Sequence, residues 1–212
     1  MKYRLILVPW IAATSALAQN SLPQEAMDLW KASGGQHWSD VKEIRFTFVV
    51  ESDGKPLVAA KHRWDVLAGT DEVEWKDKHA IADLKNPPQE GDGKAAYARW
   101  VNDSYWLLAP LKIRDKGVNV TSEGTKEVDG LACRVLHLSF AQVGLTPTDQ
   151  YRFYIDPKSN LIRAWDYIPK EGPGFQATWE GYKHFGGLTL ATEHHFNGKT
   201  VKFTDVEVLT NK

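Results

Sequence analysis

The chain has 212 residues, with 26 lysines and arginines against 27 aspartates and glutamates, one cysteine and nine tryptophans. A formal charge of -1 gives no electrostatic footprint for nucleic acid or an anionic membrane surface. One cysteine can neither close an intramolecular disulfide nor build a thiolate metal cluster. An apolar content of 42% belongs to a globular chain able to bury a core, not to a disordered one.

Lys2 and Arg4 precede an apolar run from Leu5 to Ala13, and Ala16-Leu17-Ala18 places small residues where signal peptidase needs them. Residues 1–18 read as a secretory signal cut after Ala18. The run is interrupted by Pro9 and falls short of the roughly 20 apolar residues that span a bilayer. No cysteine follows the cut and no later stretch approaches spanning length, so neither a lipid anchor nor a transmembrane segment is expected. Residues 19–212 are expected to form one exported domain, periplasmic or secreted.

Ser21 and Gln24 have capping-box spacing, and Leu22, Ala26, Leu29 and Trp30 share one face of a helix that Gly34-Gly35 ends. Ile44, Phe46, Phe48 and Val50 alternate with Arg45, Thr47 and Val49, the period of a strand with one face buried. Asp53-Gly54 turns the chain into a second strand with Val58, Ala60, His62, Trp64 and Val66 on one face. A turn near Gly69 leads to a third, with Val73 and Trp75 inward and Glu72, Glu74 and Lys76 outward. Residues 85–93 carry two prolines and two glycines and read as a loop. From Lys94 the period is helical, with Asp92 as expected N-cap and Tyr97, Trp100, Val101, Ser104 and Leu108 on one face. Through Tyr105-Trp106-Leu107-Leu108 to Pro110 this helix is apolar nearly all round, so it must be enclosed.

The remainder reads as hairpins. Asp129-Gly130 joins Val118–Val128 to Leu131–Phe140, and the turn 156–160 joins Gln150–Ile155 to a strand over 161–168. Gly186-Gly187 and Asn197-Gly198 close the last two. Two-residue loops place Phe185 opposite Leu188, Gly181 opposite Thr192 and Trp179 opposite His194. In the next hairpin, His194 faces Val201, Glu193 faces Lys202 and Thr192 faces Phe203. Val206 and Val208 break the alternation of Val201 and Phe203, which predicts a bulge near Thr204-Asp205. The expected architecture is α+β: an antiparallel meander of nine or ten strands, closed on itself or curled around two helices.

Sequence signatures of catalysis are missing. There is no G-x-S-x-G elbow, H-E-x-x-H, C-x-x-C or Walker A sequence, and no dinucleotide fingerprint. His194 and His195 point to opposite faces of a strand, and His62, His137, His184 and His194 follow no ligand spacing. No metal, no cofactor and no enzymatic activity are expected. Cys133 reads as a buried, inert thiol. An enzyme would require three polar side chains converging at a pocket, for instance His62 with Asp or Glu neighbours. The tryptophans either fill the core or line a cavity too wide for aliphatic side chains.

Residues 102–112 (NDSYWLLAPLK) with Gly117-Val118-Asn119, Val143-Gly144-Leu145-Thr146-Pro147, Tyr154-Ile155-Asp156-Pro157 and Phe185-Gly186-Gly187-Leu188 together resemble the outer-membrane lipoprotein-sorting, or LolA-like, superfamily. The resemblance covers roughly residues 22–210. It implies a strongly curved antiparallel sheet, an incomplete barrel, with helices covering its concave face as a lid over a hollow for acyl chains or other apolar groups. The implied walls are Trp100, Trp106, Leu107 and Leu108 on the lid, and Phe46, Phe48, Trp64, Trp75, Trp165 and Trp179 on the sheet. The expected function is to hold an apolar small molecule or lipid between sheet and lid without chemistry. The alternative is a periplasmic interaction, scaffold or sensor module with a filled core, whose partner is another envelope protein.

Overall fold

The computed structural model describes residues 22–211; the expected signal peptide and Ser21 lie outside them. Helix α1 (Gln24–Ala32) takes Pro23 as its N-cap with no side-chain cap, and the Gln24 amide donates to Asp28 one turn on, at 2.7 Å. A 3-10 turn (Gly35–Asp40) follows. Gly34, at φ +84°, lies against the Gly187 carbonyl so closely that a Cβ there would stand 2.2 Å from its oxygen. The left-handed backbone and the close approach each require glycine.

Strands β1 (Val41–Ser52), β2 (Lys55–Asp65), β3 (Thr70–Trp75) and β4 (Lys78–Asp83) precede helix α2 (Gly91–Lys112). After it come β5 (Val118–Val128), β6 (Leu131–Phe140), β7 (Gln150–Ile155), β8 (Ile162–Ile168) and β9 (Phe175–Thr178). The chain ends with β10 (Lys183–Phe185), β11 (Leu188–Leu190), β12 (Glu193–Phe196) and β13 (Lys199–Thr210). The described residues thus form thirteen strands, more than the expected nine or ten. One addition is β4, whose inward positions Ala80 and Ala82 are too small to mark an apolar alternation while Ile81 faces outward, 58% exposed.

The strands form two large antiparallel sheets and a small hairpin, with orders β12-β13-β1-β2-β3-β4, β5-β6-β7-β8-β9 and β10-β11. The expected registers hold: Phe185 faces Leu188, Glu193 faces Lys202 and His194 faces Val201. The bulge is present too, where the β1–β13 register shifts between Arg45 and Thr47 and Asp205 adopts φ +52°. β13 returns to lie beside β1, pairing Phe48 with Phe203, so the sheet is not a simple meander. The two large sheets meet edge to edge where Glu180, just past β9, bridges Glu193 at the start of β12. His195 N–H adds a hydrogen bond to Thr178 Oγ1 at 3.0 Å. The result is a curved, unclosed wall around α2.

α2 rests unevenly on that wall. Its first turns lie against β3 and β4 through a contact of small side chains, Ala96 with Ala60 and Ala82 beside Val73 and Trp75. Its N-cap is Glu90, not the expected Asp92; Asp92 sits in the first turn and pairs with Lys78 at 2.6 Å. Farther along, Leu107 and Leu108 enter the main core with Leu29, Ile44, Phe46 and Phe153, all buried. Pro110 lies inside the last turn and, lacking an N–H, leaves the Trp106 carbonyl without its helical donor. No helix among the described residues is long and apolar enough to cross a membrane.

Candidate functional site

Where α2 faces β5–β9 the small side chains give way to rings, which hold the helix off the sheet. A cleft of about 500 Å³ remains there, within the size range of small-molecule sites. Its helix side carries Trp100, Tyr105 and Trp106; its sheet side carries Tyr151, Trp165, Tyr167 and Phe175; the segment 143–146 and Lys112, Asp115 and Lys116 complete the rim. The rings brace one another. Trp106 lies 4.7 Å from Trp165 and parallel to Phe175 at 6.1 Å, and Tyr105 stacks on Trp165 at 5.8 Å. Strand register explains the sheet side: Phe153 faces Trp165 and Tyr151 faces Tyr167 across the β7–β8 pair, so these four rings share one face.

The polar groups of the cleft are sparse. The hydroxyls of Tyr105 and Tyr151 have no hydrogen-bond partner among the described residues, and burial raises both phenols' pKa values. Tyr167 donates to Asp149 at 2.6 Å. The indole nitrogens of Trp100 and Trp165 are buried without acceptors. Burial pushes the Lys112 ammonium below the ordinary lysine range, while nearby Asp115 opposes the shift.

Of the residues the sequence singled out, Trp100, Trp106 and Trp165 line this cleft. Phe46, Phe48, Leu107, Leu108 and Trp179 lie in the main core. Trp64 stands behind the cleft, edge-on to Trp100 at 5.2 Å, and Trp75 belongs to the separate cluster under the start of α2. Sequence reasoning passed over Tyr105, Tyr151, Tyr167, Phe175 and Lys112 as lining residues. Alternation pairs Tyr151 with Phe153 on β7 and Trp165 with Tyr167 on β8. The two pairs share a face only through the register shift between Tyr154 and Ile155, which the turn at 156–160 does not announce.

His62 does converge with two carboxylates, but elsewhere. Its Nδ1 lies 2.7 Å from Asp71 Oδ2 and its Nε2 3.1 Å from Asp103 Oδ2. Asp103 also receives Asn102 at 2.8 Å and Arg99 at 3.4 Å. Burial pulls the imidazole's pKa down, yet Asp103 and Asp71 outweigh it and leave it raised. Burial likewise raises Asp71, against the opposing effect of His62. The three side chains are at most 1% exposed and none lines the aromatic cleft. They clasp α2 to β2 and β3 and offer no surface to a substrate.

A second, smaller groove of about 320 Å³ runs over the outer face beside the bulge. Both of its arginines are paired, Arg45 with Glu207 at 3.3 Å and Arg63 with Glu72 at 3.6 Å. That leaves little there to select a ligand.

No protein-family model matches the sequence, and no curated protein does. Solved structures match its fold. A LolA superfamily protein from Nitrosomonas europaea superposes with a TM-score of 0.55 at 8% identity, covering 88% of this chain and 94% of that one. The chain has the LolA-superfamily fold. An outer-membrane lipoprotein-sorting protein domain from Vibrio parahaemolyticus gives a TM-score of 0.51 at 10% identity, covering 88% and 93% of the two chains. A DUF1329 family protein from Desulfovibrio piger gives 0.51 at 12% identity, covering 89% and 93%. At these identities the LolA-type likeness is one of fold, and it agrees with the resemblance read from the motifs.

Proposed function

We propose that this protein is an exported carrier or sensor that holds an apolar ligand, a lipid or acyl chain, between α2 and β5–β9 without acting on it chemically. The cleft carries this reading: rigid rings keep the lid helix off the sheet and leave apolar space, where the scaffold alternative requires a filled core. The expected signal at residues 1–18 supports a periplasmic location. The lipoprotein-sorting description of a structure with the same fold points to the same class of ligand. The sealed position of His62, Asp71 and Asp103 speaks against their use as a catalytic centre.

Native mass spectrometry of protein purified from its own cell envelope, paired with titration of a fluorescent fatty acid, tests the reading. The expected result is a co-purifying apolar mass that the fatty acid displaces, with Trp106→Ala binding more weakly. Protein that arrives empty and takes up no fatty acid would sink it.

A further inference from the structure

Of the two lysines that line the cleft, Lys116 is exposed, whereas Lys112 is set against aromatic rings with no partner at contact distance among the described residues. Lys112, the last residue of α2, places its Nζ 4.8 Å from the ring centre of Trp100 and 5.5 Å from that of Trp64. Among the described residues no carboxylate lies within ion-pair distance of it, and Asp115 acts on it only through space. Ring faces attract an ammonium but replace only part of the hydration it loses. The bland explanation is that the lysine stem merely covers the tryptophans while its head seeks water. Against that stands the placement of the head on two rings at the cleft, with the buried Trp100 indole N–H beside it also lacking an acceptor.

The rest of the cleft is polarised in a matching way. Its sheet wall runs from Val118 on β5, through Phe140, Tyr151 and Tyr167, to Phe175 on β9. Four strand spacings make this about 19 Å. The lining charges lie within five residues of one another, Lys112 at the end of α2 and Asp115 and Lys116 in the short connection before β5. At the β9 end the lining is aromatic, with the rings of Trp106 and Phe175 parallel at 6.1 Å. A site with charge at one end and an apolar run beyond it has the outline of an amphiphile.

Resting on the ligand-holding function proposed above, we infer that the cleft takes a single-chain amphiphile with an anionic head, a carboxylate or a phosphate monoester. The head lies at Lys112, and the tail runs past Tyr151 and Trp165 toward Trp106 and Phe175. A charge-assisted hydrogen bond from the ammonium to the head completes the lysine's coordination.

The test is calorimetric titration of delipidated protein with hexadecanoate, hexadecyl phosphate and hexadecanol, on the native sequence, Lys112→Met and Lys112→Arg. Either anion, or both, should bind the native protein about tenfold or more tightly than the alcohol. The tighter of the two anions identifies the head. Lys112→Met should abolish the preference for an anion over the alcohol, while Lys112→Arg retains it. Equal binding of all three ligands to the native protein would overturn the anionic head and leave the cleft reading intact. So would a preference that survives Lys112→Met. Failure of all three to bind would overturn the cleft reading itself. The native-protein comparison decides the matter even if Lys112→Met folds poorly.

Discussion

His62 on β2 and Asp103 on α2 meet at 3.1 Å inside the protein, which ties the lid helix to the first sheet by a buried polar bond. Asp71 on β3 holds the other imidazole nitrogen at 2.7 Å, and Phe46 stacks on the ring at 4.5 Å. With both ring nitrogens facing carboxylate oxygens, an imidazolium donates to each, while Asp71 Oδ1 stays buried without a partner. Removing the cation would leave two buried carboxylates facing a void, and such losses cost about 3–5 kcal/mol. His62→Ala should therefore lower the unfolding free energy by about that amount in urea titrations. A loss under about 1 kcal/mol would mean the clasp contributes no more than an exposed pair.

Two histidines should shape the pH dependence of stability in opposite senses. Burial lowers the His194 pKa to about 3, against the opposing pull of the Thr178 and Trp106 backbone. Between about 3 and the ordinary value of 6.5 the unfolded chain binds the proton and the folded one does not, so stability rises with pH. His62 is raised above 6.5, so its contribution is complete below that pH and is lost as pH climbs through the folded value. Urea midpoints measured across pH should rise and then fall. His194→Phe should flatten the acid limb and His62→Ala the alkaline one.

The Ala96 contact is a spacing device that can be tested by filling it. Ala96 is fully buried against Ala60, Val73, Trp75 and Ala82, so Ala96→Leu forces extra volume between α2 and β4. Overpacking of this kind costs about 1–3 kcal/mol. Thermal unfolding should register the loss, whereas the same change at solvent-facing Lys94 should be nearly silent.

Gly34→Ala should also destabilise, because the new Cβ meets the Gly187 carbonyl and the backbone sits at positive φ. The expected cost exceeds about 1 kcal/mol. Gly130→Ala is the control: it shares the positive φ but has open space around its Cβ position.

Much of the fold can be read from turns. Asp129-Gly130, Gly186-Gly187 and Asn197-Gly198 each fix a register locally, and the strands around them lie where the alternation puts them. Pairing without a turn is another matter: no local signal announces that β13 lies against β1. Asp71 shares the parity of Val73 and Trp75, but a strand begun one residue later hides it, and with it the partner of His62. The tryptophans proved a coarse guide to the cleft because a large ring serves a core as well as a cavity. Trp64 and Trp165 are both buried aromatic strand residues, and only the curvature of the wall decides which of them faces open space.

The seam between the two sheets has a mechanical meaning. β1 and β13 are joined along nearly their whole length, whereas the wall halves are joined through the Glu180–Glu193 bridge and a few hydrogen bonds around it. α2 is fastened by His62 and Ala96 to the half that carries β2–β4, while the aromatic floor belongs to the other half. The hydrogen-bonded seam therefore carries little of the join. What holds helix and floor together is side-chain packing, with Leu107 and Leu108 of α2 in one core with Leu136, Leu138 and Phe153 of the floor half.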